Sequence, residues 1–257
     1  MKKIAVILVS LGAALVWLHS IYVAPIAMYH AVDVVTVKGY ESVTVRPDKF
    51  KQQMEFLKRH KYNIVTLGEL TDLINSKERI PWKTICITFD DGYVNNYIYA
   101  YPVLKKLDIP ATMFVASGFI GKPGYLSVEQ VREMSDNGID IGSHTKMHFW
   151  LGKKNKDQHK REKEEIVESK AVLEEITAKE VKFFSYPGGG FRSATRQMVI
   201  DAGYKGAVAT NTGKRYPKDD VYALKRLRIS KTSDDLRVFW FETLGYYTWI
   251  KEHRDDD

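Results

Sequence analysis

Two adjacent carboxylates follow an apolar, β-rich run in residues 84–92 (TICITFDDG). Gly92 stands directly behind Asp90 and Asp91 and permits a tight bend, so both side chains can turn toward one cavity. Two neighbouring carboxylates can divide the work of a hydrolase, because one can bind a metal ion while the other stays free to accept a proton. The alternative is an Asx turn, in which the carboxylates only accept backbone hydrogen bonds.

A pair of histidines forms the second group. His144 and His148 are four residues apart, and if the chain enters a helical turn there, both imidazoles lie on one face and can share a metal ion. Thr145 stands where a zinc-protease motif carries its Glu, so a base must come from the acidic pair. Two imidazoles and one carboxylate leave positions open for water and substrate, which is typical of catalytic zinc, with cobalt or nickel as alternatives. A purely structural histidine pair is the other interpretation.

Three glycines follow a proline in residues 183–190 (FFSYPGGG). Glycines let the backbone approach a ligand closely, and backbone amides aimed at a reacting carbonyl can stabilise an oxyanion. A flexible loop is the alternative. No Gly-Lys-Ser/Thr element follows, so the segment is not a phosphate-binding loop.

All three motifs follow β-rich runs that alternate with helical patterns. The β-rich runs cover residues 25–32, 63–67, 84–89, 111–117, 139–144, 181–187, 205–211 and 223–229. The helical patterns cover residues 48–60, 95–107, 128–137 and 157–176. Strands separated by helices form parallel sheets, and seven or eight such units predict an α/β fold, a closed or distorted (β/α)7-8 barrel.

Parallel barrels carry their active sites at the rim formed by the carboxyl ends of the strands. The acidic pair and His144 end two of the predicted strands, His30 ends the first, and Arg226 lies in the last. The sequence therefore predicts that several strands deliver polar, titratable residues to one rim.

The helix predicted at 157–176 is rich in Glu and Lys. Its charges are expected to form a solvated face. Four of its apolar residues are expected to face inward: Ile166, Val167, Leu173 and Ile176.

Length and composition set broad limits. A chain of 257 residues fits one large catalytic domain. The 39 Lys and Arg outnumber the 32 Asp and Glu, and the net charge of +7 favours an anionic membrane face or envelope polymer. The basic residues are scattered and no groove-reading motif occurs, so a nucleic-acid partner is not expected. The single cysteine, Cys86, lies in an apolar run and is predicted to be buried.

Residues 1–23 are predicted to be a membrane anchor or signal segment, and residues 24–257 the catalytic domain. Lys2 and Lys3 precede an apolar run at 4–18, the charged-then-apolar order of an export signal. Good cleavage-site residues are lacking and apolar character resumes at 21–23, so an uncleaved anchor is favoured over a secreted form. The lysines then lie inside and the domain lies outside the membrane.

The motifs occur in a family-specific order. Residues 88–92 (TFDDG), 144–148 (HTKMH) and 184–189 (FSYPGG) resemble the three main motifs of the NodB-homology polysaccharide deacetylases, carbohydrate esterase family 4. The resemblance covers residues 25–229, which is an ordinary size for one domain.

The resemblance implies a distorted (β/α) barrel and a role for each motif residue. It implies that Asp90 is the catalytic base and that the amide of Gly188 joins an oxyanion hole. It also implies that the divalent metal is held by Asp91, His144 and His148.

Three positions depart from the family pattern. Ser185 stands where many members carry an Arg that orients the base, and Gly188 stands where they carry an aromatic residue. Residues 227–229 (LRI) lack the histidine that usually serves as the acid. Both the changed third motif and the missing histidine resemble the branch containing the biofilm poly-N-acetylglucosamine deacetylases, which also carries a Met-Tyr-His near its start, as residues 28–30 (MYH) do here.

Two residues are predicted to fill the missing roles. His30 is the histidine left at a strand's carboxyl end once the metal pair is set aside, so it is the predicted acid. Arg226 is predicted to replace the missing Arg, because a late strand should lie beside the first strand of a closed barrel. A surface cation beside Lys225 and Arg228 is the other interpretation of Arg226.

The expected activity is metal-dependent removal of N-acetyl groups from an extracellular amino-sugar polymer, such as poly-N-acetylglucosamine, peptidoglycan or a chitin-like chain. A glycosidase would also use two carboxylates on a barrel, and a sugar-binding barrel without activity is the non-catalytic alternative. Released acetate separates the first from the other two.

Overall fold

The computed structural model describes residues 20–35, 42–152, 158–210 and 220–247, together with residues 10, 12, 13 and 16–18. The described strands are β1 (Ile26–Tyr29), β2 (Ala31–Val32), β3 (Thr44–Val45), β4 (Asn63–Ile64), β5 (Thr84–Phe89), β6 (Ala111–Val115), β7 (Ile139–Ser143), β8 (Phe183–Ser185), β9 (Gly206–Thr210) and β10 (Leu224–Arg228).

Seven parallel strands, β1 and β5 to β10, close into a barrel within this part of the chain. Closure occurs at β1, which pairs with β5 on one side and with β10 on the other. The short strand β4 pairs only with the start of β5, and β2 and β3 form a small separate sheet. The predicted α/β barrel is confirmed, with seven closed strands because the 63–67 run contributes only two strand residues outside the ring.

Helices cover the outside of the barrel. They are α1 (Pro47–Arg59), α2 (Leu67–Asn75), α3 (Tyr101–Leu107), α4 (Val128–Asp136), α5 (His159–Thr177), α6 (Ser193–Asp201) and α7 (Leu236–Glu242). The helix starts follow local chemistry: Pro47 opens α1, and reciprocal Ser–Gln bonding between Ser127 and Gln130 opens α4 as predicted.

Side-chain alternation gives each barrel strand an inner and an outer face. The inner residues form one buried cluster, Ile26, Cys86, Phe114, Phe183, Val208 and Leu224, while the outer residues pack against the helices in a larger cluster. Cys86 is free and buried, as predicted. Because alternate residues share a face, Asp90, Ser185 and Arg226 project into the same interior, nearer the carboxyl ends.

A π-helical turn at Asn96–Ala100 precedes α3 and braces the rim. The buried side chain of Asn96 donates to the His30 carbonyl at 2.7 Å and accepts from the Val32 amide at 3.2 Å. Turns of this kind occur often at functional sites. Here the turn fixes the backbone that follows β1.

The inward face of α5 differs from the prediction. Ile166 and Leu173 are buried and Ile176 is partly buried, but Val167 is 42% exposed. The buried positions follow a helical period and include two charged residues: Glu162, Glu165, Ile166, Ser169, Leu173 and Thr177. The charges of this helix therefore do not form one solvated face.

The start and the end of the domain meet at one side of the barrel. The Val23 amide donates to the Gly245 carbonyl at 2.9 Å, and the Tyr22 ring lies 5.8 Å from the Tyr246 ring. None of the helices in the described part of the chain is both long enough and apolar enough to cross a membrane. Most of the predicted anchor, including residues 1–9, lies outside the described residues.

Candidate active site

Asp90 lies at the end of β5 and is almost completely buried, with 3% of its surface exposed. Both of its carboxylate oxygens accept hydrogen bonds from the Arg226 guanidinium, at 2.7 Å from Nη1 and 2.5 Å from Nη2. Bidentate pairing of this kind fixes the orientation of a carboxylate as well as its charge. Asp90 is therefore held in one orientation.

Arg226 is itself inside the barrel and only 2% exposed. It reaches Asp90 because β10 pairs with β1, and β1 pairs with β5. Its Nη1 also donates to Thr88 Oγ1 at 3.3 Å, and its guanidinium carbon lies 5.4 Å from the centre of the Phe114 ring. The structure thus places Arg226 against the predicted base, and not on the surface beside Arg228.

Ser185 connects the Asp90–Arg226 pair with His144. Its hydroxyl accepts a hydrogen bond from Arg226 Nη2 at 2.8 Å and lies 3.4 Å from Asp90 Oδ2. Its carbonyl lies 2.8 Å from Nδ1 of His144. Since a carbonyl can only accept, Nδ1 must carry the proton, which leaves Nε2 of His144 as a lone-pair donor facing the acidic pair.

Asp91, His144 and His148 form a compact three-residue cluster whose ligand atoms all lie within 4.8 Å of one another. Asp91 Oδ1 lies 3.5 Å from Nε2 of His144 and 3.4 Å from Nε2 of His148. Ligand atoms placed about 2.1 Å from a tetrahedral ion are about 3.4 Å apart, so both separations fit. Two imidazoles and one carboxylate also match the donor set of catalytic zinc sites, so the residues present could hold such an ion.

The backbone of this cluster is strained. Asp91, Thr145 and His148 have φ angles of 73°, 61° and 53°, in the left-handed region that residues with side chains rarely adopt. The conditional prediction of a helical turn at 144–148 is wrong, since this segment forms a non-helical turn. That turn still brings the rings of His144 and His148 to 4.9 Å. Such outliers often cluster at functional sites.

Side-chain and backbone hydrogen bonds hold the turn in place. Thr145 Oγ1 accepts from the Phe149 amide at 2.9 Å, and Glu165 of α5 accepts from the Met147 amide at 2.7 Å. Ser169, also on α5, donates to the Thr145 carbonyl at 3.1 Å. The polar inward face of α5 therefore supports the histidine turn.

The electrostatic environment keeps Asp90 ionised and His144 neutral. Burial would raise the pKa of Asp90, but the adjacent charge and hydrogen bonds of Arg226 outweigh burial and bring this pKa below its ordinary value. Burial lowers the pKa of His144, and the nearby carboxylates oppose this only in part. The pocket thus combines a charged carboxylate with an unprotonated imidazole, the forms that a base and a metal ligand require.

Gly188 lies in the turn Pro187–Gly189, directly after β8. Its φ of 61° is readily adopted by glycine, and a side chain there would lie 3.5 Å from Trp150. Trp150 is 48% exposed and also lies over Gly190. The glycine turn therefore lies on the same rim as the histidine turn, with an aromatic ring between them.

His30 follows the last residue of β1. Tyr29 is the register partner of Phe89, so His30 is level with Asp90 on the neighbouring strand. A charge on His30 would contribute to lowering the pKa of Asp90, which indicates that the two side chains are near each other. Nδ1 of His30 is buried and makes no hydrogen bond within the described residues. The structure thus brings His30 to the edge of the pocket.

One part of the site's framework was not predicted from the sequence. Glu162 is buried in the first turn of α5, and both of its oxygens accept from Arg192, at 2.5 and 2.6 Å. Arg192 follows the glycine turn and also lies 3.5 Å from the Leu151 carbonyl, just beyond Trp150. The pair joins the glycine turn, the histidine loop and α5. The sequence did contain a signal for it: residues 162, 165 and 169 follow the helical period of the apolar residues in this helix, which would have predicted that they face inward.

Comparisons with known proteins agree with this geometry. The family model described as polysaccharide deacetylase matches residues 77–207. The YxkH protein of Bacillus subtilis is 33% identical over 206 residues, covering 80% of this chain and 71% of that protein. The poly-beta-1,6-N-acetyl-D-glucosamine N-deacetylase of Staphylococcus aureus is 28% identical over 204 residues, covering 75% of this chain and 70% of the relative.

A solved structure shares the fold. The Streptococcus pyogenes deacetylase PplD, determined with acetate, superimposes with a TM-score of 0.76 and 29% identity. The match covers 86% of this chain and 98% of that one. The segment matched by the family model, residues 77–207, contains the acidic pair, the histidine turn and the glycine turn. This chain therefore belongs to the polysaccharide deacetylase family, whose members are hydrolases.

Proposed function

We propose that this chain is a divalent-metal-dependent hydrolase that removes N-acetyl groups from an amino-sugar polymer outside the cell membrane. One observation carries the proposal. A buried, ionised Asp90, oriented by Arg226, lies beside the Asp91–His144–His148 cluster, with Nε2 of His144 3.9 Å from Asp90 Oδ2.

A divalent ion, when bound by that cluster, supplies Lewis acidity that lowers the pKa of water toward about 7 and polarises a carbonyl oxygen. Zinc fits the donor set, and cobalt or nickel would fit it as well. Asp91 is one proposed ligand. Its φ of 73° shows that the backbone leaves the extended conformation of β5 at this residue. Asp90 is then left free for proton transfer.

Asp90 is the proposed base. It accepts a proton from the attacking water, and the new C–O bond forms at the acetamide carbonyl carbon. Arg226 and Ser185 hold the carboxylate toward the pocket, since both guanidinium nitrogens and the serine hydroxyl surround it. The negative charge that develops on the carbonyl oxygen would be stabilised by the amide of Gly188.

His30 is the proposed acid. Collapse of the tetrahedral carbon breaks the C–N bond and releases acetate, and the leaving nitrogen must take up a proton as it departs. A histidine suits this step because its ordinary pKa is near 6.5. The position of His30 beside Asp90, with a buried Nδ1 that makes no hydrogen bond in the described structure, supports this role.

The proposed substrate class follows from the relatives and the rim. The named substrate of the Staphylococcus aureus relative is poly-beta-1,6-N-acetyl-D-glucosamine. Exposed or half-buried rings lie near the pocket: Trp150 beside the glycine turn, and Tyr93, two residues after Asp91, packed on Tyr125 at 5.4 Å. Aromatic faces of this kind pack against the apolar faces of sugar rings. An acetylated amino-sugar chain is therefore the proposed ligand.

The proposed location follows from the amino-terminal segment. Two lysines and an apolar run precede the domain, the order expected of an export signal or an uncleaved anchor. The positive net charge of +7 also suits an anionic envelope.

A glycosidase is the competing enzyme. Its two carboxyl groups would have to flank a glycosidic bond, about 5 Å or more apart. Here Asp91 is beside two imidazoles and Asp90 is held by a guanidinium, which suits a ligand and a base better than a nucleophile and an acid.

The test is product analysis with the full chain on a panel of acetylated polymers: poly-N-acetylglucosamine, peptidoglycan and chitin oligomers. The proposal predicts release of acetate without new reducing ends. Shortened chains would instead identify a glycosidase. Polymer binding without acetate release, with zinc, cobalt or nickel supplied, would identify a sugar-binding barrel.

A further inference from the structure

We infer that the end of the barrel opposite the active site rests on an anionic membrane surface. The surface in question, named here the basic face, consists of residues 58–63, 75–83 and 240–246. The inference rests on the proposed location outside a membrane and goes further, because it fixes which way the active site points.

The basic face lies where the barrel strands begin. Residues 58–63 lead into β4, and residues 75–83 lead into β5, so both segments are at the amino-terminal end of the strands. Two contacts join them: Lys83 Nζ donates to the His60 carbonyl at 3.1 Å, and the Asn63 amide donates to the Lys83 carbonyl at 2.9 Å. The active site is at the other end of the same strands.

The chain that follows the amino-terminal segment enters the domain at this face. The Tyr22 hydroxyl contacts Thr84, the first residue of β5, accepting from its amide at 3.1 Å. The Tyr22 ring also packs so closely on Gly245 that a side chain there would clash with it. An anchor preceding Tyr22 would therefore hold this end of the barrel against the membrane.

The charge of the basic face suits anionic headgroups. Within residues 58–63 and 75–83 there are six Lys and Arg but a single acidic residue, Glu78. The six are all exposed: Lys58, Arg59, Lys61, Lys77, Arg79 and Lys83. Basic clusters beside a membrane segment are attracted to anionic lipids.

Three of these lysines occupy backbone positions that favour glycine. Lys61, Lys77 and Lys83 have φ angles of 56°, 56° and 61°. A residue with a side chain is less stable than glycine in this left-handed conformation. Lys61 and Lys77 directly follow α1 and α2, where the helix dipole also favours a cation, so their charge is compatible with contact to an anionic surface but does not require it.

Large aromatic side chains are exposed on the same face. Trp82 is 45% exposed, and Trp240 and Phe241, in the last turn of α7, are 47% and 44% exposed. That turn adjoins the lysine segments, since Thr243 Oγ1 lies 3.2 Å from the Tyr62 hydroxyl. Tryptophan beside lysine is typical of surfaces that sit at the membrane–water interface. This combination favours lipid over a purely polyanionic partner.

The orientation has a consequence for the reaction. The six residues of β5 extend about 20 Å along the strand, and strands of a parallel barrel tilt about 36° from its axis, so the catalytic rim would stand about 16 Å or more from the headgroups and face outward. The site would then act on polymer beyond the membrane surface and not on chains held at the lipid.

The experiment uses the full chain in vesicles, with a thiol-reactive fluorophore and a lipid that carries a quencher at headgroup depth. Cys86 is buried, so an introduced cysteine takes the label. Trp82→Cys and Trp240→Cys report on the basic face, and Lys122→Cys, in the loop after β6, reports on the catalytic rim. Vesicles contain phosphatidylcholine with or without phosphatidylglycerol.

We expect strong quenching at both basic-face positions, little at Lys122→Cys, and an increase with phosphatidylglycerol that salt reverses. The combined variant Lys61→Gly, Lys77→Gly, Lys83→Gly should weaken the phosphatidylglycerol-dependent part of the quenching at both basic-face positions, while its unfolding temperature stays equal or rises. Equal quenching at all positions, or none that depends on phosphatidylglycerol, would overturn the inference. So would binding to soluble polyphosphate with no quenching at Trp82→Cys.

Failure here is separable from failure of the proposed function. Alkaline extraction of the vesicles tests whether the amino-terminal segment is inserted, independently of the probe positions. Acetate release from soluble N-acetylated oligomers tests the chemistry, and the triple glycine variant should retain that activity, since none of its lysines touches the pocket.

Discussion

Asp90 is buried where an isolated carboxyl group would be protonated at neutral pH. The cation of Arg226 reverses this, so the folded-state pKa of Asp90 lies below its ordinary value. Because that pKa is lowered, the pairing stabilises the fold above the unfolded-state pKa of about 3.9 and is lost as the pH falls through the folded-state pKa. One ion pair thus serves both the proposed base and the fold.

Removing Arg226 should therefore change the pH profile as well as the rate. In Arg226→Ala, burial is no longer opposed by a cation, so the pKa of Asp90 rises and the acidic limb of kcat/KM shifts to higher pH. The variant should also lose about 3–5 kcal/mol of stability, the usual effect of breaking a buried pair. Arg226→Lys should restore part of both, since it returns a cation.

The control is Arg228→Ala, two residues along the same strand with an exposed side chain. Its pH profile and unfolding free energy should stay close to those of the parent chain. If Arg226→Ala loses no more activity than Arg228→Ala, Arg226 does not position the base.

His30→Ala tests proton delivery to the leaving group. The variant should retain its metal, lose most activity on N-acetyl substrates and lose much less on an activated acetate ester, whose leaving group needs no proton. Steady-state rates on the two substrates measure the difference. Equal losses on both would make His30 a positioning residue instead.

The elements that carry the site are joined across the rim by a salt bridge between two residues that are far apart in sequence. Glu162 in α5 and Arg192 after the glycine turn connect the segment that follows the histidine turn, the glycine turn and the longest described helix. Because Glu162 is 1% exposed and Arg192 24% exposed, the pair is largely shielded from water.

Glu162→Gln should destabilise the fold, because it leaves Arg192 without its counter-charge in a largely buried setting. The expected loss is about 3–5 kcal/mol, measured by urea unfolding. Glu168→Gln is the matched control on the same helix, since Glu168 pairs with Lys146 at 2.7 Å but both are nearly half exposed. Its effect should be within about 1 kcal/mol. Similar losses in the two variants would show that the Glu162 pair contributes no more than a surface pair.

At the level of elements, sequence patterns predicted the strands better than the turns. The barrel strands and the α4 capping interaction were predicted correctly, because side-chain periodicity and capping depend on neighbouring residues. The non-helical turn at 144–148 and the polar inward face of α5 were not, since both depend on partners from distant segments. Met147 and Glu165, for example, are joined by a hydrogen bond although they are 18 residues apart, and local patterns carry no information about such a contact.

For the whole molecule, the barrel prediction also placed residues together that are remote in sequence. The prediction that β10 lies beside β1 also predicted that Arg226 lies near the first strand. In the structure its guanidinium donates a hydrogen bond to Asp90. The hydrogen bonds of Ser185, which stands where many family members carry Arg, could not be predicted. Its hydroxyl accepts from Arg226, and its carbonyl accepts from His144. Such contacts arise only when the barrel closes.

The central claim is that one cluster binds the metal while the neighbouring carboxylate performs proton transfer. The most direct test measures bound zinc per chain and acetate released from an acetylated amino-sugar polymer, side by side, in the parent chain, Asp90→Asn and His144→Ala. We predict that Asp90→Asn retains one zinc and loses about 100-fold or more in rate, whereas His144→Ala loses both zinc and activity. Near-normal turnover in Asp90→Asn, or unchanged zinc content in His144→Ala, would contradict the account.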